Sequence, residues 1–120
     1  MAAGHQQRAK SRVAKVDSEE TWNTFISQAK EHGSPVVVLF MASWCEPSVA
    51  MKSIINEMSL NHKDILFLLV DVDEVKEVAS KMEIKAMPTF LLMKEGVLVD
   101  KFIGANPDET KKRVELLINY

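Results

Sequence analysis

The chain has a single cysteine, Cys45, and its setting is that of a reactive thiol. It follows the apolar run Val36 to Met41 after only three residues and precedes a helical segment with Pro47 near its start, so the sulfur falls at a helix N-terminus. There the unpaired backbone N–H groups and the positive end of the helix dipole favour the thiolate, which is the nucleophilic form of cysteine. Glu46 acts in the opposite sense, because a carboxylate beside the sulfur disfavours a second negative charge. Ser48, one turn on, has a hydroxyl placed to donate a hydrogen bond to that thiolate. A lone cysteine forms no internal disulfide, so any redox chemistry here is exchange with a second molecule. Position alone leaves a second reading open, in which Cys45 packs as a small buried hydrophobe.

No other constellation competes with this thiol. His5, His32 and His62 are far apart and lack metal-ligand spacing, so no metal site is expected; His32 and His62 lie near helix ends, where they complement the C-terminal dipole. A Cys-His dyad needs a spatial adjacency that this layout does not supply. Asp71, Asp73 and Glu74 cluster three carboxylates, too few for a calcium loop. Of seven methionines, Met51, Met58, Met82 and Met93 fall on core-facing stripes or strands, while Met87 stands apart. Lys111, Lys112 and Arg113 read as a solvated helix face.

The elements that must position Cys45 follow from periodicity. Residues 1–11 are polar, small or basic with no hydrophobic period and read as a disordered extension, leaving one domain over 12–120. Arg12 to Val16 is a short strand. A helix capped by Asp17 or Ser18 follows, with Trp22, Phe25, Ile26 and Ala29 at helical spacing, and it ends at His32-Gly33-Ser34-Pro35. Val36 to Met41 and Ile65 to Val70 are continuous β-branched and apolar runs, as in strands covered on both faces. Met51, Ile54, Ile55 and Met58 form a helical stripe between them, which makes a parallel crossover. Val75, Val78, Ala79 and Met82 repeat that spacing before Lys85-Ala86-Met87-Pro88 turns into a strand at Thr89 to Met93. Lys94-Glu95-Gly96 joins it to Val97 to Ile103 as a hairpin. Asn106, Pro107 and Glu109 start a last helix, as cap, first helical residue and capping-box partner, with Val114, Leu117 and Ile118 as its buried face. The order βαβαβαββα describes an α/β domain with a central mixed sheet and helices on both faces.

Bulk properties fit one such domain. A length of 120 residues and 47% apolar content suffice for a single core, and a net charge of -2 gives no electrostatic footprint for nucleic acid. No apolar run approaches the roughly 20 residues of a membrane span. One cysteine suits a reducing compartment. The stretch Met1 to Val16 has no apolar signal core, and Ala2 excludes N-myristoylation. It is acid-free, with Arg8, Lys10, Arg12 and Lys15, as transit peptides are. Val13 and Val16 alone give it little apolar face, so a cytoplasmic location is expected ahead of an organellar one.

The string Ala42-Ser43-Trp44-Cys45-Glu46-Pro47-Ser48, taken with Met87-Pro88-Thr89, resembles the active site of the thioredoxin family, Trp-Cys-Gly-Pro-Cys plus a cis-proline. The resemblance covers nearly the whole chain from Arg12. It is nearest to the plant monocysteinic branch of the CXXS type, beside the h-type thioredoxins, through Val70 to Ser80 and Gly104 to Glu109. The resemblance implies the thioredoxin fold and makes Cys45 the attacking cysteine, flanked by Trp44, with Pro88 as the cis-proline. It also implies that the Met87 backbone pairs with a bound peptide, that Thr89 follows in the same segment, and that Gly104 lies beside the groove. Three departures stand together: Ser48 replaces the second cysteine, Leu39 replaces a buried Asp, and Leu69 replaces a charged residue common in the adjacent strand. An expensive buried polar pair thus becomes plain packing.

Without a resolving thiol, attack by Cys45 on a disulfide gives a mixed disulfide that a second cysteine of the substrate can resolve, for net isomerisation. An external thiol such as glutathione can resolve it instead, for slow net reduction; no other cofactor is called for. The expectation is a monothiol thiol-disulfide oxidoreductase, chiefly a protein disulfide isomerase with weak reductase activity. Its substrates are proteins or peptides with disulfides or thiols, and it is monomeric unless oxidation links two copies through Cys45. Two alternatives remain at this point. One is glutathione-dependent monothiol exchange, disfavoured by Met87-Pro88-Thr89 where monothiol glutaredoxins have Thr-Val-Pro. The other is a non-catalytic binding module that keeps the groove but not the turnover.

Overall fold

The computed structural model describes residues 11–120, so all but Ser11 of the polar N-terminal extension lies outside the described residues. The elements are β1 (Val13–Val16), α1 (Glu19–His32), β2 (Val36–Met41), α2 (Glu46–Asn61), β3 (Leu66–Asp71), α3 (Lys76–Lys81), β4 (Thr89–Lys94), β5 (Val97–Ile103) and α4 (Pro107–Ile118). This is the order read from the sequence. The five strands form one sheet in the order β1-β3-β2-β4-β5, with β1, β2 and β3 parallel and β4 and β5 antiparallel to their neighbours.

Local chemistry sets the boundaries. Ser18 caps α1 by accepting the Thr21 N–H at 3.0 Å, and Gly33 ends it in the left-handed conformation at φ 70°. Glu95 and Gly96 both have positive φ and make the two-residue turn between β4 and β5. Asn106 caps α4 through the Glu109 N–H. The Glu109 side chain, however, turns to Arg113 at 2.8 Å instead of closing a capping box.

Residues alternate along β2 between two cores. Val36, Val38 and Phe40 pack with Leu68, Val70 and Leu91 against α1 and α3, where Trp22 and Phe40 meet with ring centroids 6.1 Å apart. Val37, Leu39 and Met41 pack with Phe67, Phe90 and Leu92 against α2 and α4. Both faces of the central strands are covered, which accounts for their unbroken apolar runs. Two further side-chain expectations are corrected. Ile118 is exposed, and the buried face of α4 is Thr110, Val114 and Leu117, because that spacing follows one side of the helix. Arg113 is not simply solvated: it pairs with Asp100 at 3.0 Å and Glu109 at 2.8 Å and lies 4.5 Å over the Phe102 ring. Its charge and hydrogen bond hold the Glu109 carboxyl below the usual range.

Candidate functional site

β2 ends at Met41, and the chain turns through Ala42, Ser43 and Trp44 so that the Cys45 N–H donates to the Ala42 carbonyl at 3.0 Å. Cys45 is the N-cap of α2, with extended backbone at φ -105° and ψ 95°. Its carbonyl accepts from the N–H groups of Ser48 and Val49, and Pro47 has no N–H to offer. Glu46 and Pro47, the first two residues of α2, are both exposed. The sulfur itself is half-buried, and its S–H donates to the Met87 carbonyl at 3.5 Å.

Ser48 is fully buried and does not reach the sulfur as the sequence suggested. Its hydroxyl donates to the carbonyl of Cys45 at 2.7 Å, within reach also of the Ala42 carbonyl at 3.1 Å, and accepts the Ala42 N–H at 3.2 Å. A short polar side chain on a buried first helical turn finds backbone groups nearer than the thiol. Ser48 therefore ties the end of β2 to the start of α2, holding the segment that carries Cys45.

A second loop closes on the thiol from β4. The Met87–Pro88 peptide is cis, Pro88 is buried, and the Thr89 hydroxyl donates to the Ala86 carbonyl at 2.6 Å. Gly104 donates its N–H to the Pro88 carbonyl at 3.0 Å. It does so with φ 134°, a conformation that glycine adopts without strain. Thr89 pairs with Ile103 on β5 and with Phe40 on β2, so Cys45, Met87, Pro88 and Gly104 all emerge at one end of the sheet.

Trp44 is 67% exposed, and its indole N–H donates to the Asp73 carboxylate at 2.8 Å. Asp73 in turn donates its N–H to Asp71 Oδ1 at 2.9 Å. The carboxylate cluster noted in the sequence thus separates into three tasks. Asp71 closes the turn after β3, Asp73 fixes Trp44, and Glu74 pairs with Lys15 at 3.0 Å, an interaction whose hydrogen bond raises the Lys15 pKa. The Asp73 link and the Met87 carbonyl contact were not legible beforehand. The only signal was the quoted segment Val70 to Ser80, whose role needed a long-range contact to become visible. Leu39 is fully buried beside Leu69, its register partner, and the two pack in the core under α2 and α4.

Among the described residues, no group of three metal-ligating side chains comes together, and no helix is long and apolar enough to cross a membrane. What the arrangement can do is nucleophilic exchange at the sulfur of one half-buried cysteine, which lies against the cis-proline loop and follows an exposed indole in the chain.

Comparison with known proteins agrees with this geometry. The thioredoxin family model matches residues 12–115. The chain is 60% identical over 105 residues to thioredoxin-like protein CXXS1 of Arabidopsis thaliana, covering 88% of this chain and 89% of that protein. It is 51% identical to thioredoxin-like protein CXXS1 of Oryza sativa subsp. japonica, covering 88% of this chain and 79% of that one. Among solved structures it is similar to thioredoxin NaTrxh from Nicotiana alata, with TM-score 0.84 and 38% identity over 90% of this chain and 94% of that one. A poplar thioredoxin h mutant superposes with TM-score 0.87 at 35% identity, covering 91% and 84%.

Proposed function

This chain belongs to the thioredoxin family, the thioredoxin-fold thiol-disulfide oxidoreductases, and from that premise we propose that it works as a monothiol enzyme that chiefly isomerises disulfides in protein substrates. The observation that supports this reading is the pairing of a half-buried free Cys45 at the start of α2 with a fully buried Ser48 whose hydroxyl is engaged by backbone carbonyls. Attack remains available, and resolution within the molecule does not.

In the first step the Cys45 thiolate attacks one sulfur of a substrate disulfide. The Cys45–substrate S–S bond forms, the substrate S–S bond breaks, and the released substrate thiolate takes a proton from water. The Met87 carbonyl, which holds the S–H at 3.5 Å in the resting state, lets go as the proton leaves. The exposed Trp44 ring, fixed through Asp73, forms one wall, and the cis-proline loop of Met87 and Pro88 with Gly104 forms the other, held from beneath by Thr89, which is fully buried and bonded to the Ala86 carbonyl. A second cysteine of the substrate then attacks the mixed disulfide and expels Cys45, so the count of disulfides is unchanged. Two thiols from solution, such as glutathione, end the cycle instead with net reduction at a slower rate, the first entering a new mixed disulfide and the second breaking it to leave the disulfide of the small thiol. No bound cofactor enters these steps. A reducing compartment such as the cytoplasm is the natural setting for a protein that must return to the free thiol.

The test is recovery of native pairing in a scrambled disulfide substrate, comparing wild type with Cys45→Ser. Faster recovery with wild type alone supports isomerisation. Equal rates leave the fold as a binding module without turnover.

A further inference from the structure

The exposed carboxylates at the thiol distinguish this site from a neutral one. Glu46 follows Cys45 directly, is exposed, and has no ion pair among the described residues. Asp73 holds the Trp44 indole with one oxygen and likewise has no cationic partner, whereas the next residue, Glu74, is neutralised by Lys15. Lys76 and Lys85 line a separate groove of about 530 Å³ beside α3, which Glu83 shares. Two carboxylates without an ion pair among the described residues thus adjoin the thiol, Glu46 as the next residue on its own helix and Asp73 bonded to the indole of the preceding residue.

We propose that Glu46, with Asp73, sets the charge preference of the exchange: Cys45 reacts readily with disulfides flanked by cationic groups and slowly with anionic ones, oxidised glutathione included. This rests on the exchange reading above and deepens it. In each exchange one S–S bond breaks and one forms, with a thiolate leaving, so the carboxylates meet the substrate's charge in the encounter and in the transition state alike. A mixed disulfide at Cys45 is correspondingly poorly resolved by anionic glutathione. Resolution by a second cysteine of the substrate then becomes the faster exit.

The experiment measures second-order rate constants for Cys45 attack on cystamine, which is cationic, and on oxidised glutathione, which is anionic. Each is divided by the rate of the same disulfide with 2-mercaptoethanol, which removes their intrinsic difference in reactivity. The cystamine-to-glutathione ratio also cancels any effect of a variant on the nucleophilicity of the thiol. For a carboxylate and a substrate charge that approach to about 7 Å, the corrected ratio is expected near tenfold at about 0.01 M ionic strength and about twofold or less at about 1 M. Glu46→Gln should lower the low-salt ratio about threefold, and Asp73→Asn, which keeps an acceptor for Trp44, should lower it by a smaller factor. A corrected ratio near one, or a ratio that neither salt nor Glu46→Gln changes, overturns the proposal while leaving exchange intact. If Cys45 reacts with neither disulfide, the exchange reading falls and this inference with it.

Discussion

Replacing Ser48 with cysteine puts a second thiol one helical turn from the sulfur that forms the mixed disulfide, on a segment that the fold already holds rigid. A resolving thiol in solution at about 1 mM competes with an intramolecular one whose effective concentration is on the order of 1 M or more, an advantage of about a thousandfold. Two features of the structure reduce it. The Ser48 site is fully buried, which disfavours the thiolate, and Leu39 and Leu69 provide no group nearby to accept the proton. With about ten- to hundredfold subtracted for these, Ser48→Cys should still release a Cys45-linked peptide about 10 to 100 times faster than wild type in 1 mM thiol. The substitution also removes the hydroxyl bonds to the Cys45 and Ala42 carbonyls, at a cost in stability of about 1 kcal/mol. The assay follows release of a fluorescent peptide from a preformed Cys45 adduct, with circular dichroism to verify folding and intact mass to detect a new internal disulfide. A folded Ser48→Cys protein with no internal disulfide and the wild-type release rate would refute the idea that this position governs self-contained reduction.

Other consequences are simpler to score. Ser48→Ala leaves the Ala42 N–H without its buried acceptor, although the Ala42 and Cys45 carbonyls keep their backbone donors, so chemical denaturation should show a loss of about 1–3 kcal/mol, while the lifetime of a Cys45 mixed disulfide stays as in wild type. Leu39→Asp puts a carboxyl into a closed apolar core and should cost about 3 kcal/mol or more at neutral pH. Because burial keeps that carboxyl protonated in the folded state, stability should fall as pH rises from 4 to 7, the reverse of an ordinary acidic residue, roughly as expected for a raised carboxyl pKa. Glu109, whose pKa is lowered by Arg113, contributes stability above the unfolded value of about 4.3 that is lost as pH falls through the lower folded one. Arg113→Met should flatten this acid-side slope in thermal melts, and added salt should shrink the difference because the pair is partly exposed.

The elements were legible because their signals are local. β2 reads as a doubly covered strand since every one of its residues is buried, and α4 announces itself through Asn106 and Pro107. Cys45 could be placed at a helix start from Pro47 and the strand before it. What the sequence did not disclose depends on contacts between distant segments. Nothing local says that Trp44 reaches Asp73, that the Met87 carbonyl meets the sulfur, or that Arg113 bridges Asp100 and Phe102. Ser48 shows the same limit at short range. Its residue type offered a hydrogen bond to the thiolate, but the first helical turn brings two carbonyls closer, and the hydroxyl takes those. Ile118 misled because it keeps the helical phase of Val114, four residues before it, yet it is the last residue of α4 and is exposed there.

The central claim is that Cys45 can begin an exchange which the molecule cannot finish alone. Intact-mass kinetics test it with two peptides, one whose single cysteine is held as a mixed disulfide with 2-thiopyridine, so that the released thione does not attack back, the other with an internal disulfide and one free thiol. With the first peptide and no added thiol, a stoichiometric Cys45 adduct should form and persist. With the second, the adduct should decay, and rearranged peptide should accumulate over many turnovers. Spontaneous release of the first peptide, or absence of any adduct at Cys45, would contradict the account.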